Sequence, residues 1–318
     1  MDNEKIIELL NRDLQDEHAA IIQYLQHAYA FGEGELAGEL EAIAREEMQH
    51  FRWLAEKIVA LGGKPSMARG EVVFDGPKIA GMLEADVAAE QKAIDQYREH
   101  IAAINDPEIT LLLERIIADE EAHKGDFAHF VAEQDPEAEI RVEPALAEER
   151  RQDAEFMQKD VTHEYTVVLQ YLAHAFLTPH CEVEHEMEWQ AIEEMRHLGW
   201  LAEEMEGLGT RAEMTHDPLV LPDDTADMLK ADIEVEKEVA AEYRRQAAET
   251  DDAEVAGLFQ RIAGEEDHHV YIFSGLLDEV KQEKEKGKPA GEGAAPAAKQ
   301  AAEEAPRFTV GSLLKRRQ

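Results

Sequence analysis

The chain has little of several features that mark particular classes of protein. Cys181 is its only cysteine, so the chain can form no internal disulfide and holds no four-cysteine iron site. Its 32 basic residues face 71 acidic ones, and the net charge of −39 argues against nucleic acid and anionic membranes as partners. No apolar run approaches the ~18 residues of a membrane span. The start, MDNEKIIELL, also lacks the apolar core of a signal peptide, so we expect a cytoplasmic protein.

What the chain does have is a long internal repeat that contains the same glutamates and histidines twice. The first set is Glu17, Glu47, His50, Glu90, Glu120 and His123. The second set is Glu164, Glu194, His197, Glu236, Glu266 and His269. The first three residues recur 147 positions later and the last three 146 positions later. Around them, EEMQHFRWLAE matches EEMRHLGWLAE, and a period this long indicates domain duplication rather than a solenoid.

In each half of the chain, the spacing of the apolar residues predicts four amphipathic helices. The expected fold is therefore all-α, with two four-helix bundles in tandem. Turn-forming residues such as Asp106-Pro107 separate the helices. Between Gly287 and Pro306, 14 of 20 residues are Ala, Pro or Gly, which predicts a disordered tether. The expected organisation is a first bundle at 1–134, a linker at 135–146, a second bundle at 147–286, a flexible tether at 287–306 and a separate terminal peptide at 307–318.

The repeated glutamates and histidines fall on the apolar stripes of these helices, and this placement predicts a metal site in each bundle. Four carboxylates in one helical core are strongly unfavourable unless cations compensate them or protons are taken up. Two divalent ions balance four carboxylates, and one imidazole per ion suits iron or manganese better than structural zinc. One glutamate on each of two helices and Glu-x-x-His on the other two is the ligand set of di-iron carboxylate bundles. We expect two ions per bundle, with the bridging glutamates left open.

Three other acidic positions need a decision between two interpretations. Asp86 and Asp232 lie one turn before Glu90 and Glu236, so each either accepts a hydrogen bond from a ligand histidine or joins two helices. In the second bundle, Glu265 and His268 form an overlapping Glu-x-x-His pair. The apolar stripe of that helix favours Glu266 and His269 as ligands and puts the other pair about 100° around the helix.

The segments LNRDLQDEHAAIIQYLQHA and EEMQHFRWLAEKIVALGG resemble the first two helices of bacterioferritins, a branch of the ferritin-like family. The resemblance covers about 260 residues in two copies. It implies a ferroxidase that oxidises Fe(II) with O2 or peroxide for iron storage or detoxification, with the two sets above as iron ligands. Met48 and Met195 stand where bacterioferritins bind haem b at a subunit two-fold axis. Plain methionine packing at an interface is the alternative.

The end of the chain, FTVGSLLKRR, resembles the cargo-loading peptides that dock ferritin-like enzymes inside encapsulin shells. Phe308, Val310, Leu313 and Leu314 would be the apolar anchors within residues 308–314, and Gly311 would allow close approach. The resemblance implies a location inside an encapsulin nanocompartment. The alternative is a tail that folds back on its own acidic body through its last basic residues.

Two other functions compete with ferroxidase activity. A rubrerythrin-like peroxidase or a manganese catalase uses a similar ligand set. Rubrerythrins, however, carry one more carboxylate near the third-helix glutamate, and the corresponding residues here are Ala93 and Val239. A non-enzymatic alternative is an adaptor bundle that binds metal only for stability.

Overall fold

The computed structural model describes residues 1–32, 34–74, 76–140 and 150–285, which form an all-α protein of long helices. The first module contains α1 (Asn3–Phe31), α2 (Glu35–Ala60), α3 (Ile79–Ile104) and α4 (Pro107–Glu133). The second contains α5 (Arg151–Leu177), α6 (Cys181–Gly207), α7 (Thr225–Glu249) and α8 (Ala253–Glu285). The predicted fold class is confirmed for these residues. The predicted tether and terminal peptide, 287–318, lie outside them.

Side-chain caps explain where several helices begin. Asp2 accepts a hydrogen bond from the backbone N–H of Lys5 at 2.9 Å and so caps α1. Asp106 accepts from two backbone N–H groups at the start of α4, where Pro107 occupies the first helical position. Asn105 ends α3 with a left-handed φ of 54°. None of the described helices is long and apolar enough to cross a membrane.

Each module is a four-helix bundle with one long crossing segment. In the first module α1 packs along α2 and α3 packs along α4, and residues 62–78 connect the two pairs. This segment follows α1: the backbone N–H of Gly70 donates to the carbonyl of Gln15 at 2.9 Å. A Cβ atom at Gly70 would lie 2.9 Å from Asp16 Oδ1 and 3.2 Å from the carbonyl oxygen of Gln15, so glycine suits this close approach. The crossing segment therefore packs along one side of α1.

The beginning of the predicted linker packs against the first module. Glu139 forms an isolated antiparallel bridge with Lys78. The backbone N–H of Ile140 donates to the carbonyl of Pro77 at 2.8 Å, and the Ile140 side chain is buried against Met82. Residues 135–140 therefore extend the first bundle, and the rest of the predicted linker, 141–146, lies outside the described residues.

The two modules pack on each other through their first helix pairs. α1 contacts α6 and α2 contacts α5, which is the exchange that a local two-fold axis produces. His18 and Tyr165, which are equivalent positions of the repeat, meet across this interface, and His18 Nε2 lies 2.6 Å from the Tyr165 hydroxyl. Arg52 and Glu188 add an ion pair at 3.2 Å. The apolar core is continuous across the two modules, so they form a pseudo-dimer within one chain.

Candidate metal centres

The six predicted ligands of the first module converge inside its bundle, contributed by all four helices. Their side chains are 1–3% exposed. They form two overlapping groups in which one potential ligand atom from each residue lies within 4.8 Å of the others. The groups are Glu17, Glu47, His50 and Glu120, and then Glu47, Glu90, Glu120 and His123. The arrangement offers two neighbouring positions for cations.

The second module repeats this arrangement with its own six residues, which are at most 2% exposed. The groups are Glu164, Glu194, His197 and Glu266, and then Glu194, Glu236, Glu266 and His269. Of the two overlapping Glu-x-x-His pairs on α8, the structure brings Glu266 and His269 into the cluster. His268 is exposed and stacks near Tyr271 outside the bundle.

Two glutamates of each module belong to both groups, and their geometry suits bridging ligands. Glu47 places Oε2 2.9 Å from Nδ1 of His50 and Oε1 2.8 Å from Nδ1 of His123. Glu120 likewise faces His50 with Oε1 at 3.3 Å and His123 with Oε2 at 3.2 Å. Each of these carboxylates therefore directs one oxygen to each position, while Glu17 and Glu90 serve one position each. Glu194 and Glu266 do the same in the second module.

The buried ligand atoms fit a pair of cations better than they fit one another. Several carboxylate oxygens of the clusters, and one imidazole nitrogen, are buried without a hydrogen-bond partner. They are Glu17 Oε2, Glu47 Oε1, Glu194 Oε1, Glu236 Oε1, both oxygens of Glu266, and His269 Nδ1. Leaving such atoms unpaired in a dry core is costly. Oxygen and nitrogen atoms that approach closely without hydrogen-bond geometry are what a shared metal ion would organise.

A second layer of carboxylates orients the histidines, and the sequence analysis missed it. Glu46 Oε2 lies 3.0 Å from Nε2 of His123, and Asp119 Oδ2 lies 3.5 Å from Nε2 of His50. In the second module Glu265 lies 3.0 Å from Nε2 of His197. An acceptor on Nε2 leaves Nδ1 free to face the metal position and fixes the orientation of the ring. The signal was present in the sequence, because each Glu-x-x-His glutamate directly follows another acidic residue.

Buried tyrosines hold the glutamates that serve one position each. The hydroxyl of Tyr24 donates to Glu90 at 2.7 Å, and that of Tyr97 donates to Glu17. In the second module the hydroxyl of Tyr243 donates to Glu164. These tyrosines are at most 1% exposed. They fix one oxygen in three of the four terminal glutamates. At the fourth, Glu236, the hydroxyl of the equivalent Tyr171 is buried without a hydrogen-bond partner.

The prediction that Asp86 and Asp232 accept a hydrogen bond from a ligand histidine is wrong. Asp86 accepts from Nε2 of Gln23 at 2.8 Å and contacts His27 at 2.9 Å. Asp232 makes the same contacts in the second module. The other ring nitrogen of His27 reaches the carbonyl of Val73 in the crossing segment at 3.2 Å. The alternative interpretation applies, since this network ties two helices and the crossing segment together one turn away from the cluster.

The electrostatics of the first cluster show how it responds when no cation compensates it. Burial, with the neighbouring carboxylates, raises the pKa of Glu17 and of Glu90 well above the ordinary value. Burial alone would lower the pKa of His123, but the hydrogen bonds and charges of Glu120 and Glu47 outweigh it and raise that pKa to about 11. The pKa of His50 is raised for the same reasons. Without a compensating cation, the terminal glutamates and the histidines therefore retain their protons to a higher pH than isolated side chains would.

Metal binding should consequently release protons, and its affinity should increase with pH. Metal ligands must be deprotonated, and the raised pKa values favour protons on two glutamates and two histidines of the metal-free site, so up to two protons should be released per ion. Adding Zn(II) or Co(II) to the metal-free protein at pH 7 in a weakly buffered solution, with pH-stat readout, measures this number. A double Glu47→Ala, Glu194→Ala chain provides the baseline. Release no greater than that baseline would contradict the proton assignment.

Met48 and Met195 lie partly buried and pack against the apolar core that spans both modules. They occupy equivalent positions of the repeat on α2 and α6, the helices of the pseudo-dimer interface. The cavity between the modules that Tyr29, Arg211 and Met214 help to line measures about 10 Å³. That is space for one water molecule. Neither methionine lines this cavity; both take part in apolar packing.

The fold and the two clusters define a helical-bundle protein with paired carboxylate centres. The ferritin-like domain family matches residues 7–134 and again 154–282. The chain therefore belongs to the ferritin-like family and carries its domain twice.

It is similar to the bacterioferritin of Desulfovibrio desulfuricans, with 34% identity over 125 residues, 37% of this chain and 70% of that protein. The bacterioferritin of Streptomyces coelicolor is 36% identical over 125 residues, which cover 37% of this chain and 75% of that protein. An X-ray structure of the Desulfovibrio desulfuricans bacterioferritin describes a diiron site. The match to it covers 41% of this chain and 80% of the bacterioferritin chain, with 32% identity and a TM-score of 0.39.

Proposed function

We propose that this protein is a ferroxidase that oxidises Fe(II) to Fe(III) for iron storage or detoxification, with one di-iron site in each module. The observation that supports this most is the pair of buried clusters, each with four carboxylates and two imidazoles around two positions. Similarity to bacterioferritins supports the same chemistry.

The residues suggest how each site handles its substrate. Four carboxylates balance the four charges of two Fe(II) ions, so the loaded cluster is neutral in a low-dielectric core. O2 takes one electron from each of the two Fe(II) ions and also takes up two protons. The products are two Fe(III) ions and hydrogen peroxide. The product then carries two positive charges more than the carboxylates balance. That excess favours the uptake of anionic oxygen ligands and the departure of iron towards a mineral store.

We expect four irons per chain, two in each module, because each module has a complete ligand set. An anaerobic Fe(II) titration with metal analysis measures this number, and an O2 pulse in a stopped-flow instrument follows the oxidation. Two irons per chain would show that one module is inactive. Rapid disproportionation of hydrogen peroxide by the manganese-loaded protein would favour the catalase alternative. Binding without turnover would favour the adaptor.

The environment of the third-helix glutamates favours the ferroxidase over a rubrerythrin-like peroxidase. At the position where rubrerythrins carry an additional carboxylate, Val239 is buried and apolar and Ala93 is half-buried. Neither side chain can supply another ligand. The chain itself also lacks the four cysteines of the iron site that serves such peroxidases as an electron donor.

We further propose that the protein works as cargo of an encapsulin shell, bound through residues 308–314, so that iron mineralises in the lumen of the nanocompartment. These residues lie outside the described part of the chain, and the proposal rests on their apolar and basic pattern after an Ala/Pro/Gly-rich segment. Deleting the segment and measuring co-purification with the shell tests this proposal.

Haem b between Met48 and Met195 stays a proposal that rests on the equivalent positions of the two methionines in the repeat. Protein produced with ample haem precursor should then show a Soret band, and Met48→Leu should remove it because one axial ligand is lost. Absence of the band from fully loaded protein would leave interface packing as the role of both methionines.

A further inference from the structure

The two modules differ at the mouth of their metal centres, and the difference concerns access rather than ligands. In the second module a polar pocket of about 360 Å³ reaches the ligand His269. Trp189, which is 49% exposed, places one wall of this pocket at the surface. Glu186, Glu193, Arg196, Glu265 and His268 are among the other lining residues. The space admits several water molecules, and so an ion that keeps waters of its hydration shell.

The corresponding place in the first module carries a Glu–His contact instead. Glu46, the equivalent of Glu193, lies 3.0 Å from Nε2 of His123 and so occupies the outer edge of that ligand. Ile43 and Ala122 stand where the second module has Gln190 and His268, so the first module is also less polar there. A hydrated ion thus meets a polar opening in one module and a Glu–His contact in the other.

One substitution between the repeats accounts for the different position of this glutamate. Arg196 stands where the first module has Gln49. Its guanidinium contacts Glu193 and lies 2.8 Å from Glu265. The ring of Trp200 lies 5.1 Å from the guanidinium carbon and restrains it further. Glu193 is therefore paired with Arg196, whereas its equivalent Glu46 is paired with a ligand histidine.

We propose that Arg196 is a positioning residue that holds this pocket open, so that hydrated divalent cations enter the second module through it and fill that site first. The first module, with Gln49 at the same place, is closed by Glu46 and exchanges metal more slowly. This inference rests on the proposed function, because it concerns the loading of the same sites. Arg196 touches no metal position itself. It contacts Glu193 at the pocket and also Glu265, the carboxylate beside His197, so the variants of Glu193 below are needed to show which contact matters.

Two single-site proteins separate the modules for the test. Glu47→Ala leaves only the second site, and Glu194→Ala leaves only the first. Metal-free protein is mixed with Co(II), and the growth of its visible absorbance gives the binding rate, while equilibrium dialysis gives the number of ions bound. This readout requires no turnover of iron.

In the Glu47→Ala protein, Arg196→Gln should slow Co(II) binding roughly tenfold, since the released Glu193 can then bond to His269 with the strength of a charged hydrogen bond. Adding Glu193→Gln should restore the rate because no carboxylate is left to close the pocket. In the Glu194→Ala protein, the reciprocal change Gln49→Arg should accelerate binding by a similar factor. If Arg196 had a purely structural role, Glu193→Gln would not restore the binding rate and Gln49→Arg would not increase it.

Unchanged rates in both reciprocal variants would overturn the inference. Faster binding after Arg196→Gln would overturn it as well, since it would mean that Arg196 repels cations rather than opening their path. Failure of the proposed function has a different signature, namely fewer than two Co(II) ions bound per intact site at equilibrium. Rates and stoichiometry are measured on the same samples, so the two failures are distinguishable.

Discussion

Replacing Glu47 and Glu194 by alanine in one chain should abolish rapid Fe(II) oxidation. Each of these glutamates directs its two oxygens to the two histidines of its module, so its loss removes a ligand from both metal positions at once. Changing a residue that merely orients a metal ligand typically costs 10–100-fold, so we expect the loss of this shared ligand to exceed about a hundredfold. Stopped-flow oxidation of added Fe(II) measures the effect.

Single variants and a matched control make this result specific. Glu47→Ala or Glu194→Ala alone should leave about half of the rapid phase, because each module has its own ligands. Glu→Gln at both positions retains the side-chain volume and should give the same loss as alanine. The control is Glu121→Ala with Asp267→Ala, which removes exposed carboxylates next to Glu120 and Glu266 and should oxidise iron normally. Oxidation kinetics of the double alanine chain equal to those of the control would contradict the site assignment.

The convergence of the six residues in each module could be predicted from the sequence because two independent regularities agree. Helical spacing places each ligand on an apolar stripe, and the duplication repeats that placement with almost constant offsets. A carboxylate on such a stripe requires compensation, and this physical demand makes the pattern informative. The bridging role of Glu47 could not be predicted, since it depends on which oxygen faces which histidine across two helices.

The outer carboxylates and the role of Asp86 were missed for a different reason. Glu46 and Asp119 lie beside ligands on the partly exposed flank of their helices, where acidic residues are common in a chain of net charge −39. Asp86 does face inward as predicted, but its partner His27 lies on α1 at the level of the crossing segment. Helical periodicity gives the direction of a side chain and leaves open which residue of another helix stands at the same height. The shared Gln-Tyr-Leu-x-His-Ala core, which contains Gln23 and His27, carried this signal in both repeats.

The packing of the two modules on each other also could not be predicted from helical periodicity. On α1, residues 18–30 are buried on more than one face of the helix. Such a wide apolar surface indicates a second packing partner, but it does not say which helix that partner is. His18 and Tyr165 are a histidine and a tyrosine at one position of the repeat, and their contact becomes interpretable only when the two-fold relation places them together. The internal repeat indicated two domains, but it did not indicate which helices of the two domains contact each other.

Deleting residues 307–318 should leave Fe(II) oxidation in solution intact while eliminating co-purification with a co-expressed encapsulin shell. The apolar anchors of this segment follow a stretch poor in apolar residues, and an apolar motif that stays exposed needs a partner to cover it. A flexible stretch of about 20 residues has an r.m.s. reach of roughly 25 Å. That reach would let the modules hang inside a shell while the end of the chain is bound to its wall.

A second variant separates docking from folding back onto the acidic body of the chain. Replacing Lys315, Arg316 and Arg317 by alanine removes the positive charge that such a fold-back requires and leaves Phe308, Val310, Leu313 and Leu314 unchanged. If the apolar anchors bind a groove of the shell as an extended segment, packaging should survive this charge change and be lost when Leu313 and Leu314 become alanine. Shell co-purification is read from a gel of the isolated particles, and Fe(II) oxidation is assayed on the same proteins. Packaging that persists after the deletion, or ferroxidase activity that disappears with it, would show that the segment serves the helical bundles themselves and that the iron they oxidise needs another destination.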